Sequence, residues 1–209
     1  MRRLLIALAI LLVILVVGDF VAKAYATTQL RDRARQAVRG ATSSTASISS
    51  FPFTGRLLVA GSVSTVHVRV GPVAAGRVTF ASVAVDLHDV HVDRNRLIRE
   101  QKVQLTGVGS GTVTAALTDV EVSRLAGARI AFAPGRASVT VGGTPVTATV
   151  QVTNGTMSFA GARVPLQFRV PRGPLFPCDA TSANVKQGVV ELSCTVHNVP
   201  AELVGKTLK

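Results

Sequence analysis

The 209-residue chain has no tryptophan, one tyrosine and eight phenylalanines. The core is therefore expected to be mostly Val, Leu and Ala. Acidic residues are scarce, 11 against 23 basic, for a formal net charge of +12. That balance favours anionic partners: lipid headgroups, acidic polymers or nucleic acid. A dense Lys/Arg run is missing, and the basic residues are mostly scattered arginines. Their dispersion argues against nucleic acid. Also missing are a G-x-S-x-G elbow, an H-E-x-x-H helix and a Walker loop. No catalytic residue, enzyme activity or cofactor is expected. Gly107, Gly109 and Gly111 are spaced by two in a strand-like run, which reads as a sheet bend rather than a phosphate cradle. His88, Asp89, His91 and Asp93 cluster. On a regular strand Asp89, His91 and Asp93 share a face, but a solvated strand face explains them as well as a metal does. No metal site is assigned.

Cysteine is nearly absent. Cys178 and Cys194 are the only two, too few for a structural zinc site. In an exported chain an even count suggests one disulfide, worth roughly 3 kcal/mol for a loop of about 15 residues. Two buried thiols are the alternative. No cysteine lies near the N-terminus, which excludes a lipoprotein anchor.

Export is suggested by Met1-Arg2-Arg3 followed by an unbroken apolar run, Leu4 to Gly18. Ala22-Lys23-Ala24 and Ala24-Tyr25-Ala26 both fit a small-x-small cleavage site. The run spans about 22 Å as a helix, short of a roughly 30 Å hydrocarbon core. Asp19 follows at once, so a longer span buries a charge. Residues 1–26 are thus a cleaved signal peptide or a retained membrane anchor, and 27–209 the exported domain. The two arginines stay inside in either case. The location expected is the periplasm or cell envelope, with or without a tether to the inner membrane.

An amphipathic helix is expected over Phe20 to Arg39. Phe20, Ala26, Thr27, Leu30, Ala34, Ala37 and Val38 share one face, and Gly40 would end the helix as a C′ residue. The face is small-sided, so it can pack on a sheet and also wall a cavity. A Ser/Thr-rich turn follows, then Phe51-Pro52-Phe53 leading into a strand. The two rings either plug one end of the core or project at its mouth.

The remaining 140 or so residues alternate. Val66, Val68 and Val70 share a parity, as do Val83, Val85 and Leu87, then the phase slips to Val90 and Val92, which suggests a β-bulge at His88-Asp89. Val146 to Val152 and Val190 to Val196 alternate too. One apolar face per strand means antiparallel strands over a single interior. Asn154-Gly155 and Gly142-Gly143 are hairpin turns. The sequon at Asn154 is better explained by its turn. Thr118 to Glu121 has the form of a capping box with Gly127 as terminator, predicting a short helix near 119–126. Asn198 before Pro200 suggests another.

The order of these features resembles the LmeA-like phospholipid-binding family of actinobacterial envelopes. The likeness runs from the export segment through Phe51-Pro52-Phe53, Gly61-Ser62-Val63 and Val83-Ala84-Val85-Asp86-Leu87 to Thr118–Leu125. It implies an α+β fold, a long N-terminal helix cradled by a strongly curved antiparallel sheet, half of a tubular lipid-binding fold. It implies a phospholipid ligand, notably phosphatidylinositol, and a link to lipoglycan assembly.

The residues agree with that implication. Exposing an acyl chain of about 16 carbons to water costs on the order of 12 kcal/mol, at about 0.8 kcal/mol per methylene. An apolar groove removes that cost, and arginines at its mouth can hold a phosphate. Leu30, Ala34, Val38, Phe51, Phe53 and Leu57 are the candidate lipid contacts, with Arg31 and Arg56 for phosphate. The expected partners are phospholipid and a membrane surface. The competing reading is a non-lipid module that supports an envelope glycosyltransferase.

Overall fold

The computed structural model describes residues 2–37, 42–100, 105–161, 166–170, 176 and 178–199. In chain order the elements are α1 (Arg2–Ala37), β1 (Ser43–Ser49), α2 (Phe53–Ala60), β2 (Ser62–Gly71), β3 (Val73–Ala75), β4 (Val78–Phe80) and β5 (Ser82–Val92). Next come α3 (Arg94–Glu100), β6 (Leu105–Thr118), α4 (Asp119–Ala126), β7 (Arg129–Ala133), β8 (Arg136–Val141) and β9 (Thr144–Thr153). The last are β10 (Thr156–Ala160), β11 (Gln167–Arg169), β12 (Ser182–Lys186) and β13 (Val189–Val199).

Six strands form one antiparallel sheet in the order β1-β2-β5-β6-β13-β12, and a five-stranded sheet runs β11-β10-β9-β8-β7. Neither closes into a barrel. The period-two pattern explains the pairing. Val70, Val83, Ala115 and Leu192 lie directly opposite one another across four strands, and all four are buried. Their mostly polar neighbours Arg69, Ala84, Thr114 and Ser193 face the other way. The second sheet covers the β6, β13 and β12 side of this face. Ile130, Phe132, Val139, Met157 and Phe159 join the same core cluster. The expected α+β class, with one N-terminal helix and antiparallel strands, is what the chain adopts.

Turns and caps follow local chemistry. Asn154 (φ 49°) and Gly155 (φ 74°) both take the left-handed backbone that a two-residue hairpin needs. The Thr118 hydroxyl accepts from the Glu121 N–H at 3.2 Å, and α4 ends on left-handed Gly127. Cys178 and Cys194 are disulfide-bonded, which joins β13 to the segment that enters β12.

Four expectations need correction. The amphipathic helix does not start at Phe20: α1 is continuous from Arg2 and runs through Gly18, with no proline anywhere along it to stop it. The Ser/Thr-rich stretch is a strand, β1, held by pairing with β2. Phe51-Pro52-Phe53 leads into helix α2, not a strand. Pro52 is its N-cap residue, and Phe53 and Leu57 recur at the helical i, i+4 spacing on the inner side. The slip at His88-Asp89 is not a register shift, since β2 and β5 keep their pairing across it. Instead Asp89 takes φ 52°, and the register shift lies between His91 and Val92 against β6. Asn198 belongs to β13, and the short helix expected after it lies outside the described residues. Val38, Arg39 and Gly40 lie outside the described residues, as does the chain after Val199.

Candidate functional site

The helix α1 lies along β1 with opposite polarity. The Ser44 hydroxyl, near the start of β1, donates to the Arg31 carbonyl at 3.3 Å. Asp19, twelve residues earlier on α1, reaches the chain just past the end of β1. Its carboxylate accepts from the Phe53 N–H at 2.9 Å and the Thr54 N–H at 2.5 Å. Those are two of the amides that a helix leaves unpaired at its N-terminus. Asp19 is 8% exposed, and its charge is satisfied by α2 rather than by water.

From Asp19 onward α1 presents Ala22, Ala26, Leu30 and Ala34 to the sheet side. Four residues apart, they form one stripe of mostly small side chains. From Ala22 to Ala34 the stripe is about 18 Å long at 1.5 Å per residue. Thr27 and Thr28 lie within this stretch without demanding partners, because their hydroxyls donate to the carbonyls of Lys23 and Ala24 one turn back.

The sheet face opposite is apolar and incompletely covered. Val68 and Val85 are partners on the inner face of two central strands, with Ala46 beside Val68. Leu87 and Val196 lie one row further toward α2, on either side of Gly111. All five are only partly buried, while the next row away, Val70 and Val83, is 5% and 0% exposed. In the same rows Val66, Val113 and Cys194 are buried, so the partly exposed strip is narrow. We read this strip as a trough. Val68, Val85 and Leu87 are its floor, the α1 stripe is one wall, and Leu57 of α2 lies at one end. Gly111 leaves room for the end of the Leu87 side chain, since a Cβ on it would stand 2.9 Å from Leu87 Cδ2 and make that methyl shift.

At that end the strands change parity. Val66 and Leu87 join the cluster from one side of the Ser64–Asp89 row, Val63 and Val90 from the other. The left-handed Asp89 allows this, and the α2 end of the trough is packed as a result.

The sequence-predicted residues separate. Leu30 and Leu57 pack against the smaller apolar cluster and Ala34 against the larger one, with Val68 shared by both. Phe53 is buried in the packed end, 5% exposed, whereas Phe51 is 70% exposed outside it. One ring plugs and the other projects. Arg31 and Arg56 are both exposed but stand near opposite ends of β1, roughly 20 Å apart at about 3.3 Å per strand residue. One phosphate cannot contact both. The Arg56 guanidinium donates to the Ser64 hydroxyl at 2.5 Å. Reading side chains singly missed Asp19, whose partners are 34 and 35 positions away. Its only signal was a lone acid in an otherwise helical stretch.

Two of the histidines serve cross-strand pairs. His67 contacts the Asp86 carboxylate, and His88 faces the Thr65 hydroxyl at 3.4 Å. The left-handed backbone of Asp89 breaks the row that Asp89, His91 and Asp93 would have shared. A separate shallow depression of about 610 Å³ lies by Val120, Arg124 and Arg129, at the far end of the sheet.

A helix wall of small residues against an open, wholly apolar strip of sheet suits a ligand with a long apolar body, and defines an α+β lipid-binding domain. A model of the LmeA-like phospholipid-binding family matches residues 17–208, and the chain belongs to that family. No curated protein and no solved structure matches the chain.

Proposed function

We propose that the protein holds one acyl chain of a phospholipid in the trough between α1 and the β2–β5 face, as a carrier or sensor in the cell envelope. The observation that carries this reading is the partial exposure of Val68, Val85 and Leu87 on the inner face of central strands. The stripe of about 18 Å is slightly longer than half of a roughly 30 Å hydrocarbon core, the length one leaflet's chain occupies. Transfer from bilayer to trough exchanges one apolar surrounding for another. Because the transfer needs no bond to be made or broken, the protein acts without being an enzyme. Arg56 at the α2 end and Arg31 at the other are alternative phosphate contacts, one for each orientation of the lipid. An inositol headgroup, and a role beside an envelope glycosyltransferase in lipoglycan assembly, fit the family and the excess of positive charge.

Native mass spectrometry of the purified full chain tests this. A co-purified phospholipid at one per chain is expected, displaced by added phosphatidylinositol. An empty protein that also fails to move phospholipid between liposomes would favour the scaffold reading. Charge reversal at Arg56 or at Arg31, but not at both, should weaken transfer of anionic lipid more than of neutral lipid.

A further inference from the structure

One end of the molecule gathers features that the trough does not use. The strands bring the end of β1, the start of β2, the end of β5 and the start of β6 to the same edge. Helices α2 and α3 cap that edge. The Arg94 guanidinium donates to the Val59 carbonyl at 2.9 Å and so ties α3 to the C-terminus of α2. Helix α1 leaves the domain here. Asp19 binds the N-terminus of α2, and the helix continues outward through the apolar run that precedes it.

Large apolar side chains are exposed at this end. Val59 is 78% exposed, Phe51 70%, Leu58 45%, and on α1 itself Phe20 and Val21 are more than half exposed. Exposed Arg56, Arg94, Arg96 and Arg99 are placed on the same two capping helices. Apolar tips among cations match the anionic interface of a bilayer. Continuity selects the occupant, because the apolar helix that would enter a membrane rises out of the patch.

Length strengthens the argument. By composition, Val13–Gln36 of α1 could cross a membrane, but from Ala22 onward it packs on the sheet. The part left for the bilayer is Leu4–Gly18, about 22 Å against roughly 30 Å of hydrocarbon. A short span is accommodated by drawing flanking groups into the bilayer. Phe20, Val21, Phe51, Leu58 and Val59 are placed to supply the missing depth. The charge that appeared to forbid a deeper seat, Asp19, already has two amide partners. Cleavage after Ala24 or Ala26 would remove Asp19 and Ala22, leaving the α2 amides unpaired and part of the trough wall gone.

We infer that the N-terminal segment is retained as a membrane anchor, and that α2, with the arginines beside it, seats this end of the domain in the anionic leaflet from which the anchor emerges. The inference does not depend on lipid in the trough.

The absence of native tryptophan provides the test. Val59→Trp and, as the far-end control, Val120→Trp are made in the full chain, exported, and purified into nanodiscs of phosphatidylglycerol and phosphatidylcholine with acyl-brominated lipid. Val120 follows β6 at the other end of the sheet and is 75% exposed. Val59→Trp should emit to the blue and lose most of its intensity to bromine, while Val120→Trp keeps its own. Equal, weak quenching at both positions overturns the docking surface. A mature N-terminus after Ala24 or Ala26, read by intact mass, overturns the anchor. A blue shift at position 59 that arises only when native membrane proteins are added assigns the face to a protein partner and also defeats the inference.

Discussion

Ala34→Trp separates a trough from a filled core in a single variant. Ala34 is partly buried and packs toward the cluster that includes Val68 and Val85. An indole at this position points across the space between α1 and the floor. If that space is open, the ring fills it without displacing protein atoms. Each methylene kept out of the trough forfeits about 0.8 kcal/mol, so excluding about four costs ~3 kcal/mol, about a hundredfold in affinity. If the space is filled, the ring overpacks it at a typical cost of about 1–3 kcal/mol, which lowers Tm by roughly 2–12 °C for a chain of this size. The assay pairs phospholipid transfer between liposomes with thermal unfolding on the same preparation. Transfer should fall by about two orders of magnitude with Tm within a few degrees of wild type. A large drop in Tm, with no lipid bound even by the wild type, would refute the trough. Leu30→Ala is the converse variant: it widens the same wall and should leave transfer measurable while relaxing selectivity for chain length.

Two further changes probe the scaffold. Replacing both Cys178 and Cys194 by Ser opens the loop that the disulfide closes, and should cost roughly 3 kcal/mol, or about 6–12 °C in Tm; labelling of the denatured, unreduced wild type should find no free thiol. The Glu121 carboxylate is held below its ordinary range by the Arg124 guanidinium and then by the Thr79 N–H. A depressed carboxylate contributes stability that is present above its unfolded pKa, about 4.3, and is lost as pH falls through the folded value. Glu121→Gln should therefore lower stability at neutral pH and flatten the decline between about pH 5 and 3; an unchanged acid limb would remove that role.

Much of the large sheet was legible because its strands bury one face. Val66, Val68 and Val70, or Val190, Leu192 and Cys194, declare their parity directly. The α4 helix was legible to its ends, since Thr118 and Gly127 act through neighbours a few residues away. What escaped notice rests on distant partners. β1 is an edge strand with only Ala46 and Ile48 as inward apolar side chains, so its composition reads as a turn until β2 lies beside it. α2 follows a proline after an extended residue, which reads equally well as the start of a strand; the Asp19 cap that favours a helix comes from another element. For the candidate site, the stripe through Leu30 and Ala34 could be read from helical spacing, and Leu57 from its nearness to Phe53. The floor valines looked like ordinary core, because period two cannot say whether anything covers them. Arg31 and Arg56 were grouped by sequence proximity to α1 and the Phe-Pro-Phe turn, and β1 holds them apart.

The continuity of α1 has a mechanical consequence. Its 36 residues make a rod of about 54 Å, one part of which is apolar run and another the movable side of a slot. The Asp19 contact with α2 lies between the two parts, where a fulcrum would be. With the anchor retained, as inferred above, a tilt of the outer arm in the bilayer would be carried along the same helix to the inner arm beside Val68, so the slot would feel the state of the membrane.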